Sequence, residues 1–154
     1  MYYVSPQVWA WRTGRIKQIA ASVSTMVVVF PFELPLYREA GVDAHFVGHP
    51  LLDIVKVSRS REENSKRLGI RPGRVAIGLL PGSRLSEVKR ILPPMLDAAR
   101  RLSRERTDLQ FIIPLAPGLR KADMEQLIRG AAVPVTLVEN SIYDVIDSSY
   151  LVIV

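Results

Sequence analysis

The sequence predicts an α/β fold built on parallel sheets, and three observations predict it. Short apolar runs rich in β-branched residues alternate with longer amphipathic stretches along the 154 residues. Several of those runs, such as Met26 to Phe30 and Val75 to Leu80, are apolar at nearly every position, as strands covered on both faces are. The stretches between them are long enough for helical crossovers, the connection that parallel strands require.

Taken in order, Tyr2-Tyr3-Val4 is the first strand. A helical pattern follows, with Ile16, Ile19, Ala20 and Val23 on one face and Arg12, Arg15 and Gln18 away from it. Met26 to Phe30 is a strand ended by Pro31. Glu33 to Ala40 is a short helix closed by Gly41 as its C-terminal cap, and His45-Phe46-Val47 is a strand. Arg61 to Leu68 reads as a helix stopped by Gly69, before the turn signal Arg71-Pro72-Gly73. Val75 to Leu80 is a buried strand, and Pro81 to Arg84 is a tight loop. Val88, Ile91, Leu92, Met95, Ala99 and Leu102 then trace one helical face, which Pro93-Pro94 is expected to kink or split. Phe111 to Ile113, Val135 to Val138 and Tyr150 to Val154 are strands, separated by helices at Lys121 to Arg129 and Ile142 to Asp147.

Gly48-His49-Pro50 and the polar run from Lys56 to Lys66 mark a junction between two such units. The chain opens directly on a strand and stops at the end of another that reads as central and fully apolar. Ligands of open α/β sheets lie just beyond the carboxyl ends of the strands. The expectation is therefore a fragment that lacks a wall of its own site.

Composition narrows the function. Apolar residues make up 48% and charged residues 23%, which suits a packed globular protein and not a disordered one. Lys plus Arg is 21 against 15 for Asp plus Glu, a net charge of +6 that favours an anionic partner or simply solvates the surface. With no cysteine and only His45 and His49, neither a disulfide framework nor a histidine-rich metal site is expected. No secretory signal and no run near the ~20 residues of a membrane span is present, so the chain reads as cytoplasmic.

Four segments carry chemistry. Leu79-Leu80-Pro81-Gly82-Ser83-Arg84 lies where a strand becomes a helix. Gly82 permits close backbone approach, the helix start offers free N–H groups, Ser83 adds a hydroxyl, and Arg84 adds a planar cation. These make a diphosphate cradle, or else an ordinary turn whose arginine points into water. Glu87 suits the helix N-terminus, with contact to a sugar hydroxyl or orientation of Arg84 as the second reading. Ser5-Pro6-Gln7-Val8-Trp9-Ala10-Trp11 follows the first strand. Its tryptophans stack on a sugar or line an acyl pocket, or they pack in the core, the reading the residues alone favour. His49 is a structural turn group unless a positioned partner makes it a base.

These segments, together with Phe30-Pro31-Phe32-Glu33 and Phe46-Val47-Gly48-His49-Pro50-Leu51-Leu52-Asp53, stand in the order and spacing of the lipid-A-disaccharide synthases. The resemblance covers Tyr2 to Val154. It implies two Rossmann-like domains, both incomplete in this chain. Residues 1–47 correspond to the end of an acceptor-side domain, 48–60 to a connection, and 61–154 to the start of a nucleotide-sugar domain. It implies transfer of 2,3-diacylglucosamine from UDP-2,3-diacylglucosamine to 2,3-diacylglucosamine 1-phosphate (lipid X), with inversion, release of UDP, and neither cofactor nor metal. Arg84 is then the catalytic residue that stabilises the leaving group. Gly82, Ser83, Arg84, Glu87, Ser5, Gln7, Trp9, Trp11 and His49 are the substrate-binding residues. The implied general base precedes Met1, and the implied Ser/Gly/Thr-rich loop follows Val154.

The implied location is cytoplasmic and peripheral, on the anionic inner face of the inner membrane, with a possible homodimer at full length. A rival is another UDP-sugar enzyme of the same architecture, such as a murein-type transferase or a sugar-nucleotide epimerase. Fold cannot separate these; Trp9-Ala10-Trp11 and Gly48-His49-Pro50 favour the lipid enzyme. A non-catalytic anion-binding module is the other rival. Nucleic acid is not an expected partner, because the basic residues are scattered and aromatics make up only 7%.

Overall fold

The computed structural model describes residues 1–11, 14–55 and 59–154. Arg12, residues 56–58 of the expected connection, and the side chain of Trp11 lie outside the described residues. The chain divides into two compact units, Met1–Val55 and Lys56–Val154. Both are α/β with parallel sheets, in keeping with Rossmann-like units.

The first unit runs β1 (Tyr2–Tyr3), α1 (Val8–Trp11), α2 (Arg15–Ser22), β2 (Thr25–Val28), α3 (Glu33–Glu39), β3 (Asp43–Phe46) and α4 (Leu51–Ile54). Its sheet has the order β1-β2-β3, with Met26 opposite Tyr2 on one side and Ala44 on the other. The core gathers Val8, Ile16, Met26, Val28, Tyr37, Val42 and Ala44. The expected strand from Met26 to Phe30 stops at Val28 and is not sealed on both faces. Met26 and Val28 are fully buried, whereas Thr25 and Val27 are half-covered. One side of the sheet takes the packed helices, so the sequence run is more apolar than its burial requires.

Helix α3 ends as its sequence demands. Gly41 takes φ +79°, which costs glycine nothing, and its N–H donates to Arg38 O while Val42 N–H donates back to Tyr37 O. Val42 and Tyr37, brought together by that turn, are both buried.

The second unit runs α5 (Arg61–Arg67), β4 (Val75–Leu79), α6 (Leu85–Glu105), β5 (Leu109–Leu115), α7 (Lys121–Ile128), β6 (Val135–Glu139), α8 (Ile142–Ser148) and β7 (Leu151–Ile153). All pairings are parallel, in the order β6-β5-β4-β7. The chain starts at β4, steps outward to β5 and β6, and returns to the far side of β4 as β7. The order therefore reverses between β4 and β7. Val88, Leu92, Met95 and Met124 of the helices pack with Ile77, Leu79, Phe111 and Ile113. Leu68 and Val145 pack with Ala76 and Ile112, the alternate positions of the same strands. That alternation is the mark of a sheet covered on both faces, and each buried leucine contributes about 1.5–3 kcal/mol.

Two expectations change here. Helix α6 runs as one helix through Pro93-Pro94, so of the two outcomes expected there the split does not occur. Both prolines are exposed, as are Lys89 and Arg90, so the carbonyls that lose their helical donors belong to residues on the exposed face, where the loss costs least. Leu92, Met95, Leu96 and Ala99 on the opposite face are buried and hold the helix to the sheet. Strand β7, read as central, is an edge of its sheet in this chain, with Leu151 exposed.

The loop entering β4 is pinned from inside. Gln110, buried on β5, donates to Gly69 O at 2.7 Å and accepts from Arg71 N–H at 3.2 Å. The buried amide is thereby satisfied, which burial requires. Arg67 of α5 also pairs with Asp144 of α8.

Candidate functional site

The reversal between β4 and β7 places a crevice at the carboxyl ends of the second unit's strands, where open α/β sheets bind ligands. Leu80 N–H donates to Ile153 O at 2.9 Å and so holds the two strand ends together. Beside them lies a cleft of about 520 Å³. Leu80, Gly82 and Ser83 line it from the loop after β4, and Pro114 to Pro117 from the end of β5. Asn140, Ser141 and Ile142 close it before α8, and Val154 lies at its β7 side. Its walls are mainly apolar, with the polar groups of Ser83, Asn140 and Ser141 among them, as small-molecule sites are built.

Gly82 and Ser83 of the expected cradle thus reach the cleft. Arg84 does not line it. Its guanidinium Nη1 donates to Glu87 Oε1 at 2.5 Å, and the side chain is 75% exposed. The N–H groups of Ser83 and Arg84 both donate to Glu87 Oε2, at 3.3 Å each. Glu87 therefore caps the start of α6 by accepting these N–H groups, as its position suggested, and it also holds the Arg84 side chain. The Arg84 hydrogen bond, helped by the two backbone N–H groups, holds the Glu87 carboxyl below its ordinary value against the opposing cost of desolvation. Gly82 sits at φ +115°, and a Cβ there would lie 2.9 Å from Glu87 Oε2. The atom that approaches this glycine closely is a carboxylate oxygen of the chain itself.

The remaining site candidates fall in the first unit, after the carboxyl ends of β1 and β3. Val4 takes φ +66°, an uncommon and strained conformation for a β-branched residue, and its N–H donates to Val27 O. This bend tucks Ser5 inward, where its hydroxyl donates to Glu33 Oε1. Gln7 is exposed at the start of α1. Trp9 is 41% exposed and meets Phe32 edge-on at 5.1 Å, so it lies outside this unit's buried core. Phe30 stacks on Phe32 at 5.4 Å and lies 5.5 Å from His49. His49 Nδ1 accepts the Leu51 N–H at 3.1 Å, so a neutral ring carries its proton on Nε2. That contact caps α4, the structural reading of the histidine.

Sequence reading missed Glu33, Asn140 and Ser141. Glu33 hides inside an apolar run, and nothing local marks its carboxyl as buried. Asn140 takes φ +47°, and the Asn-Ser pair after a strand is itself a turn signal. Among the described residues no group of three or more His, Asp or Glu side chains could hold a metal ion. Nor is any described helix long and apolar enough to cross a membrane.

With this geometry in hand, the comparisons with known proteins are specific. A family profile described as lipid-A-disaccharide synthetase matches residues 1–152. A lipid-A-disaccharide synthase of Geobacter sulfurreducens is 47% identical over 145 residues, covering 94% of this chain and 38% of the relative. Those of Syntrophus aciditrophicus and Syntrophotalea carbinolica are 49% and 45% identical, over 94% and 99% of this chain and 38% and 39% of their own lengths. The chain thus spans less than two-fifths of the curated relatives it matches. A match over nearly every residue, motif segments included, leaves one conclusion: the chain belongs to the lipid-A-disaccharide synthetase family.

Proposed function

We propose that the chain serves a hexosyl transfer: 2,3-diacylglucosamine passes from its UDP derivative to 2,3-diacylglucosamine 1-phosphate, and UDP leaves. The observation that carries this reading is the placement of Gly82 and Ser83, with Arg84 next to them, at the cleft where the strand order reverses. In this reading residues 61–154 open the nucleotide-sugar side and residues 1–47 close the acceptor side, with 48–60 connecting them. Arg84 stabilises the charge that develops on the departing diphosphate, aided by the start of α6, a 21-residue helix. Gly82, Ser83 and Glu87 shape that end, while Ser5, Gln7, Trp9, Trp11 and His49 belong to the acceptor end. The acylated substrates make a cytoplasmic, peripheral position on an anionic membrane face, and a homodimer, parts of the same proposal.

The test is replacement of the matching segment of the Geobacter sulfurreducens relative by this chain. The hybrid is assayed with both acylated substrates in detergent by UDP release. Turnover within about tenfold of the parent supports the assignment. A folded hybrid without turnover, whose cleft does not respond to UDP, removes it. Among rivals, another UDP-sugar enzyme of the same fold predicts UDP binding without use of the acylated acceptor. The match to this family makes it the weaker reading.

A further inference from the structure

Three donors that the loop after β4 presents to an anion are already engaged by one carboxylate. Ser83 N–H, Arg84 N–H and Arg84 Nη1 all donate to Glu87. The carboxylate lies against the bare Cα of Gly82, in the space a side chain would fill. It rests there near the positive end of a long helix, where negative charge is favoured.

The three bonds are unequal. The contact to Arg84 Nη1 is short and charge-assisted, at 2.5 Å. The two backbone contacts, at 3.3 Å, are longer than the usual 2.9–3.0 Å of such bonds and so weak. Glu87 is itself about one-third exposed and Arg84 three-quarters exposed, so neither is locked by packing. A ligand carrying two phosphate groups brings more charge and more acceptor oxygens to the same donors. It competes with the carboxylate for those three donors.

We propose that Glu87 is an internal competitor for the anion site: its carboxylate fills the Gly82–Arg84 loop when no ligand is bound and leaves when a diphosphate arrives. The role rests on the reading of this loop as the diphosphate site. Before binding, the carboxylate keeps the loop folded, satisfies its N–H groups and holds Arg84 beside the cleft. During binding, Arg84 passes from Glu87 Oε1 to a phosphate oxygen, and the freed carboxylate turns to water. The loop therefore arrives preformed, and the cost of emptying it sets a ceiling on affinity for simple anions.

The experiment titrates the chain with inorganic pyrophosphate and with UDP, by calorimetry and by the amide resonances of Ser83 and Arg84. Glu87→Gln keeps an oxygen acceptor of the same length but removes the charge. It should tighten pyrophosphate binding about two- to fivefold, the scale of an exposed ion pair. In the unaltered chain, the carboxyl carbon resonance of Glu87 should move towards that of a free glutamate as the ligand saturates. A Glu87→Gln variant that binds as the parent does or more weakly, while Arg84→Ala abolishes binding, leaves the anion site standing and overturns the competitor role. Absence of any saturable response at Ser83 and Arg84, in parent and variant alike, overturns both the role and the loop reading beneath it.

Discussion

Ser5 donates its hydroxyl to Glu33 Oε1 at 2.5 Å across 28 residues of sequence, and both side chains are buried. The bond joins the carboxyl end of β1 to the first turn of α3. The second oxygen of Glu33 accepts Phe30 N–H at 3.3 Å, which ties in the end of β2 as well. One carboxyl group thus gathers both strand ends beneath the Trp9, Phe30 and Phe32 cluster. Glu33→Ala should destabilise the first unit by about 1–3 kcal/mol, the cost of leaving a buried donor unpaired, and Ser5→Ala by a similar amount. The double variant should cost less than the sum, because the two residues share one bond. Urea unfolding followed by tryptophan fluorescence measures all three, and strict additivity would argue against a shared bond.

Arg84 is three-quarters exposed, so its removal should spare the fold and strike the chemistry. In the hybrid enzyme, Arg84→Ala should lower UDP release about 10²–10³-fold, the usual loss for one preorganised donor to a developing charge. Arg84→Lys should recover little, since an ammonium does not reproduce the two-pronged guanidinium. Thermal unfolding of both variants should match the parent within about 0.5 kcal/mol. Near-parental turnover by Arg84→Ala would take the residue out of the site.

The fold was legible in the sequence wherever burial and backbone chemistry act locally. Gly41 and Gly69 end helices by the same reciprocal turn, and each was readable as a stop because only glycine takes that conformation cheaply. Pro93-Pro94 do not split α6 because the penalty of proline depends on which face it occupies, and that face is set by Leu92 and Met95 packing on the sheet. The residue types from Gly82 to Arg84 suggest an anion cradle, and the sequence shows that the loop stands where a strand becomes a helix. That the Glu87 carboxylate folds back onto the loop was not legible, since it depends on side-chain reach. Glu33 was invisible for a related reason: its partner lies 28 residues away, and no local pattern announces such a bond.

Acid should spare the fold down to the ordinary carboxylate range and no further. Hydrogen bonds hold three carboxyl groups below their usual values: Glu87 through Arg84, Glu63 through the Ser60 backbone and hydroxyl, and Asp108 through Arg106. A carboxyl whose folded value is depressed binds fewer protons folded than unfolded, so its contribution is full above the unfolded value. That value is 4.5 for the glutamates and 3.8 for Asp108, and the contribution disappears as pH falls through the folded value. The urea midpoint should therefore stay level from neutral pH to about 5.5 and fall below about 4.5. Glu87→Gln should flatten part of that fall, and a decline that begins near pH 6.5 would point to other groups.

Gly82→Ala should damage the loop in two ways. Its φ of +115° is strained for any side chain, and the new Cβ would press on Glu87 Oε2 at 2.9 Å and on Glu87 Cβ at 3.0 Å. The carboxylate can swing aside, but the helical backbone that carries its Cβ cannot. The expected cost is about 1–3 kcal/mol of stability, with displaced amide resonances at Ser83 and Arg84. UDP affinity should drop with it, because the N–H groups no longer point together. An alanine variant with unmoved resonances would mean that the loop tolerates a side chain and that its close approach to Glu87 is incidental.

Membrane attachment, as proposed, should be electrostatic with an aromatic foothold. The segment from Trp9 to Lys17 carries three basic residues in its sequence, of which Arg15 and Lys17 are exposed, and Trp9 and Phe32 present exposed rings. Leu51, Leu52 and Ile54 of α4, in the same unit, are exposed as well. Basic side chains are drawn to anionic headgroups with a reach of about 10 Å at 0.1 M salt, and aromatic rings settle at the interface once there. Flotation with vesicles of phosphatidylglycerol and phosphatidylethanolamine should therefore recover the chain at low salt and release most of it near 0.5 M. The attraction should weaken on Arg15→Glu and Lys17→Glu. Trp9→Ala should lower retention at every salt concentration without changing the slope, since an apolar contact is not screened. Binding that ignores salt, or that survives both charge reversals, would assign attachment to the apolar residues alone, and no binding to anionic vesicles at low salt would remove the membrane from the proposal.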